Sequence, residues 1–121
     1  MRGLTIAIVF YGALMVSAAA QERPVTAFGP GNKTCSEWTA ANHEARSPMA
    51  FWMLGYLTGA DAWGDQGDFL QKAGGAPSST LFRWIDEFCK LNPSESLYAA
   101  STALACDLAG KHGEKWCNTR R

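Results

Sequence analysis

The sequence predicts a small all-α domain of four helices, interrupted by one long loop and stapled by two disulfides. Three observations point there. Apolar residues recur three and four positions apart in several segments, and no segment alternates apolar and polar side chains as a half-buried strand would. Between those segments, Thr, Ser and Asn followed by glutamate or proline supply helix-start signals. Four cysteines in a chain of 121 residues, behind an N-terminus suited to export, imply cross-links rather than free thiols.

The leader comes first. Arg2 supplies a positive charge, Leu4 to Val16 form an apolar run, and Ser17-Ala18-Ala19-Ala20 offers small residues at a cleavage point before Gln21. The run is shorter than a membrane span requires, so residues 1–20 are expected to be a signal peptide and the mature protein to carry no stable membrane anchor. Roughly 100 residues then remain, enough for a single domain. The chain has 11 basic and 11 acidic residues, and removal of Arg2 leaves the remainder one unit acidic. Nucleic acid and anionic lipid both call for a basic surface and are disfavoured as partners.

Pro24, Gly29, Pro30 and Gly31 punctuate residues 21–33, which read as an extended, poorly ordered arm ahead of the domain at 34–121. Thr34-Cys35-Ser36-Glu37 then matches a capping box and predicts a first helix from Cys35 to about His43, burying Trp38. Ser47-Pro48 reads as a cap followed by proline at a first helical position, so a second helix is expected from Met49 to about Trp63. Its Gly55 and Gly59 each cost about 1 kcal/mol against alanine inside a helix, which predicts close approach of another helix there.

No period is sustained from Asp61 to Ser79, where five glycine or proline residues fall, and this is the long loop. Asp61, Asp65 and Asp68 raise the question of calcium. Their spacing lacks the alternate acidic ligands and twelfth-position glutamate of an EF-hand, and a solvated acidic loop is the expected reading. Loops of this length inside small domains often carry function.

Leu81, Trp84, Ile85 and Phe88 form the clearest apolar stripe, on a helix that ends at Cys89 and stops at Asn92-Pro93. Ser78, Ser79 and Thr80 offer caps for it, and Asp86 and Lys90 stand in the favourable i, i+4 order on its polar face. This element reads as the central anchor, its stripe turned toward the Trp52–Gly59 helix. Asn92 as cap, Pro93 as first helical residue and Glu95 predict the start of the last helix, striped by Leu97, Ala100, Ser101, Leu104 and Leu108 and closed by Gly110. A polar tail from Lys111 to Arg121 carries Trp116 and Cys117.

Zinc is the competing use of Cys35, Cys89, Cys106 and Cys117, but they contain no Cys-x-x-Cys pair and neither His43 nor His112 sits in a ligand pair. Of three possible disulfide connectivities, Cys35–Cys89 with Cys106–Cys117 is favoured by position, since Cys117 follows Cys106 closely enough for a local bridge. No catalytic constellation emerges. His43-Glu44 has no serine or cysteine in a hydrolase signature beside it, and Asp86-Glu87, as helix neighbours, point in different directions. No enzyme activity, cofactor or metal is expected.

The succession Cys35-Ser-Glu-Trp38, Trp52-x-x-Gly55-Tyr-Leu-Thr-Gly59-Ala, then Trp84-Ile-Asp-Glu-Phe-Cys89-x-x-Asn92-Pro93 and an Ala/Leu helix resembles a group of small exported helical proteins of Gram-negative bacteria. That superfamily includes the HdeA/HdeB acid-stress chaperones and the Rap/Tai immunity proteins of type VI secretion. The resemblance covers about Cys35 to Leu108 and is carried by structural motifs. It implies the Cys35–Cys89 pairing and a tight packing site at Gly55-Tyr56; Cys106 and Cys117 are additions to the shared pair.

The function expected first is a non-enzymatic periplasmic protein that binds another protein, as an immunity or inhibitor protein binds a toxin. Trp63, Asp61, Asp65, Asp68 and Trp116 are its candidate contacts, because partly exposed aromatics anchor protein partners. The alternative is an HdeA-like acid-stress chaperone for client proteins, its fold loosened when native carboxylate interactions are protonated.

Overall fold

The computed structural model describes residues 27–63, 75–110 and 117. It comprises a 3-10 turn at Gly29–Asn32 and four helices: α1 (Cys35–Ala40), α2 (His43–Trp63), α3 (Ser78–Leu91) and α4 (Leu97–Ala109). The described residues hold no strand, only an isolated antiparallel bridge between Thr34 and Ser96. The expected all-α architecture of four helices and two disulfides is present, with bonds joining Cys35 to Cys89 and Cys106 to Cys117.

The capping box at α1 forms as its sequence dictates. Thr34 Oγ1 accepts the Glu37 N–H at 3.2 Å, and the Glu37 carboxylate accepts the Thr34 N–H at 2.8 Å. The helix ends early, at Ala40, and α2 begins at His43 rather than Met49. Asn42 explains the shift: its side chain accepts the Ala45 N–H at 2.9 Å and its carbonyl accepts the Arg46 N–H. Ser47-Pro48 therefore lies inside α2 and does not start it. Proline there forfeits the bond that would reach the Glu44 carbonyl, at an exposed position where water can replace it.

α3 begins at Ser78, three residues ahead of Leu81, so Ser78 to Thr80 form its first turn; Pro77 stands at the cap position with no side-chain bond. Its buried residues are Leu81, Ile85 and Cys89, flanked by half-buried Trp84 and Phe88 stacked at 5.5 Å. Asn92 caps the C-terminus of α3, its amide donating to the Phe88 carbonyl at 2.9 Å, and does not start α4. The cap of α4 is Ser96, whose hydroxyl accepts the Ala99 N–H at 3.1 Å. Gly110 ends α4 with φ 53°, a conformation that favours glycine.

The hub of the fold is α4. Leu97, Ala100, Ser101, Leu104, Ala105 and Ala109 are buried on it, and the small ones let neighbours approach closely. α2 packs mainly on α4 and on the 3-10 turn, while α3 packs on α1 and α4. The α3 stripe therefore does not face the Trp52–Gly59 segment as expected. Met49, Met53 and Leu57 are the buried residues of α2, forming with Leu97, Leu104, Ile85 and Trp38 one continuous core.

Two expectations about glycine and the arm fail together. A Cβ added at Gly55 or Gly59 would meet nothing within 4 Å, so neither is a site of close packing. The glycine that is required is Gly31, where a Cβ would run into the Trp52 ring and the Ala27 methyl. The segment read as a loose arm is thus seated from Ala27 onward, with Ala27 and Gly31 buried against α2.

Candidate functional site

The residues singled out as contacts lie at or beyond the end of α2. Asp61 is half-buried in its last turn and Trp63 ends it. Asp65, Asp68 and Trp116 fall outside the described residues. No group of three His, Cys, Asp or Glu side chains among the described residues could hold a metal ion.

What the structure does assemble is a set of polar ties between helices, two of them made by carboxylates. The densest centres on Asp86 of α3. Its Oδ1 accepts the Trp38 indole N–H from α1 at 2.8 Å and lies 3.4 Å from an Arg46 guanidinium nitrogen of α2. Arg46 in turn donates from Nε to the Trp38 carbonyl at 2.9 Å and lays its guanidinium over the Trp38 ring, 4.6 Å from the centroid. One carboxylate thereby joins three helices, with a cation–π contact and a satisfied C-terminal carbonyl of α1 alongside. Trp38 itself is buried, so its indole needs an acceptor, and Asp86 provides it.

A second tie runs from Trp84 of α3 to Asp107 of α4, indole nitrogen to carboxylate at 3.1 Å. On the far side of α4, the Tyr56 hydroxyl and Thr102 Oγ1 are 2.9 Å apart, and the Trp52, Tyr56 and Tyr98 rings contact one another in sequence.

The polar face of α3 differs from its reading. Asp86 turns inward to Trp38 and Arg46, and Lys90 pairs with Glu87, which raises the Lys90 pKa. At α1, the Glu37 carboxyl is held below the ordinary carboxylate range, first by the hydrogen bond from the Lys33 ammonium and then by the Thr34 N–H. Both pairs are exposed, so their strength is modest.

Beside these ties lies unusual apolar exposure. From Ser47 to Ala60, α2 carries no charged side chain, although Phe51, Gly55 and Thr58 face outward. Phe51 is 71% exposed, and Phe28 and Leu91 exceed 80%. A surface helix normally sets charge opposite its core face, and this stretch of α2 does not.

Residues 3–99, most of the chain, match the family model of the HdeA/HdeB family. The chain belongs to the HdeA/HdeB family. Neither the search of curated proteins nor that of solved structures found a match. In this HdeA/HdeB-family chain the match spans Cys35 and Cys89 and ends within α4, before Cys106 and Cys117. It bears on the HdeA/HdeB side of the resemblance and does not extend to the Rap/Tai immunity proteins. The interhelical ties of the family member were missed in its sequence. The signal that could have found them is a buried tryptophan, Trp38, which needs an acceptor, and an aspartate, Asp86, directly beside the buried Ile85.

Proposed function

We propose that the protein acts in the periplasm as an acid-stress chaperone that binds unfolding client proteins, without enzymatic activity or a cofactor. Family membership supports this over the immunity reading, for which nothing further speaks. The observation that carries it is the uncharged outer face of α2 between Ser47 and Ala60, where Phe51 is 71% exposed. Beneath that face the Asp86 carboxylate holds α1, α2 and α3 together through Trp38 and Arg46. At the start of α1, the Glu37 carboxyl is held below the ordinary carboxylate range by the Lys33 ammonium and the Thr34 N–H, so the stability it contributes is lost as pH falls. Loosened helices then expose Met49, Met53 and Leu57 in addition to the uncharged outer face of α2, giving a client apolar surface to adhere to.

Trp63, Asp61, Asp65, Asp68 and Trp116 remain proposed contact groups in this reading, now toward a client rather than a toxin. The test is light scattering from an aggregation-prone client brought to acid with and without the protein. Aggregation should be suppressed in acid and not at neutral pH; equal scattering with and without the protein in acid would remove the proposal.

A further inference from the structure

The two disulfides differ in setting. Cys35 and Cys89 are 0% and 1% exposed and belong to the continuous core. Their bridge is enclosed further by backbone bonds: the Cys35 N–H donates to the Glu95 carbonyl at 2.8 Å, and the Cys35 carbonyl accepts the Thr39 hydroxyl at 3.0 Å. A thiolate can reach those sulfurs only after α1 has left α3 and the start of α4. Cys106 and Cys117 are both half-buried, and neither belongs to the core cluster. Cys106 sits on the partly open side of α4, between buried Ala105 and exposed Asp107. Its bridge closes over only 11 positions and joins no two of the four helices. It also lies wholly outside the region shared with the family.

We propose that Cys106–Cys117 is a redox-responsive clasp, opened by a dithiol reductant while the four helices stay folded and Cys35–Cys89 stays oxidised. In the exchange, a thiolate of the dithiol attacks one sulfur of the bridge, forming a mixed disulfide and releasing the other as a thiolate, which takes up a proton. The second thiol of the reductant then attacks the mixed disulfide. Two electrons and two protons pass to the bridge, leaving Cys106 and Cys117 as thiols and the reductant as its cyclic disulfide. Access selects the bridge, because exchange requires the attacking thiolate to line up with an S–S bond it can reach. Opening the clasp releases Cys117 from Cys106 on α4.

The full chain, treated with graded dithiothreitol at neutral pH, quenched with iodoacetamide and mapped by peptide mass spectrometry, tests this. Cys106 and Cys117 should be alkylated roughly tenfold or more faster than Cys35 and Cys89, as access-limited exchange requires. Far-UV circular dichroism at the point of complete Cys106–Cys117 opening should retain the helical signal. A Cys106→Ser, Cys117→Ser variant should fold with Cys35–Cys89 intact. Simultaneous opening of the bridges, prior opening of Cys35–Cys89, loss of helix on clasp opening, or failure of the double variant to fold would each overturn the proposal.

Discussion

Thr34 and Ser96, the caps of the first and last helices, face each other across an isolated antiparallel bridge. The Leu97 N–H donates to the Lys33 carbonyl and the Cys35 N–H to the Glu95 carbonyl, each at 2.8 Å. Next to them, the Ser36 N–H and hydroxyl both donate to the Pro93 carbonyl. Helix starts leave backbone donors without partners, and here two starts distant in sequence satisfy one another. The turn at Pro93 is thus held by α1 instead of serving as the first turn of α4.

That pairing makes the two caps individually measurable. Ser96→Ala and Thr34→Ala should each lower stability by about 1 kcal/mol, as loss of a capping hydroxyl does. Urea denaturation of the oxidised protein measures it. Because the bridge itself is backbone, neither change should alter the circular dichroism of the native state.

Glycine gives a sharper contrast. Gly31→Ala drives a methyl group into the Trp52 ring and should destabilise by about 1–3 kcal/mol, the usual cost of overpacking. Gly55→Ala adds a methyl group where nothing lies within 4 Å and should stabilise by roughly 0.5–1 kcal/mol through helix propensity. Thermal melts of the two variants should move in opposite directions; a Gly55→Ala melt below that of the parent would restore the close-packing reading of that helix.

Ser101 is fully buried, and its hydroxyl has no hydrogen-bond partner. An unpaired buried hydroxyl costs about 1–3 kcal/mol of desolvation. Ser101→Ala keeps the small volume that α4 needs and should raise the urea midpoint by about 1 kcal/mol in stability. An unchanged or lower midpoint would indicate that a bound water satisfies the group.

Local signals in the chain were legible where one residue decides the geometry. Thr34 with Glu37 starts α1, Gly110 ends α4, and the cysteine pairing follows position. The errors arose where two signals competed. Ser47-Pro48 resembles a helix start, but Asn42 had already capped α2 upstream; Asn92-Pro93 resembles another, but Ser36 engages its carbonyl. Gly55 and Gly31 are the same residue type, and only the fold shows which one lies under a ring. The Asp86 tie escaped for a related reason: its partners Arg46 and Trp38 are 40 and more positions away, beyond any helical period.

Acid sensitivity can be assigned to one carboxylate, Glu37. Glu37 has its folded-state pKa lowered by Lys33 and the Thr34 N–H. It therefore contributes stability that is present above its unfolded value and is lost as pH falls through the lowered folded value. Glu37→Gln should be less stable than the parent at neutral pH, and the gap should close in acid, where both side chains are uncharged. Asp86→Asn tests the interhelical tie. The amide oxygen can still accept the Trp38 indole, so this change removes the ion pair to Arg46 and little else. Its urea midpoint should lie below the parent's at neutral pH, and an unchanged midpoint would show that the Arg46 pair contributes nothing measurable. If Glu37→Gln kept the parent's full acid slope, Glu37 would not be a source of the acid sensitivity.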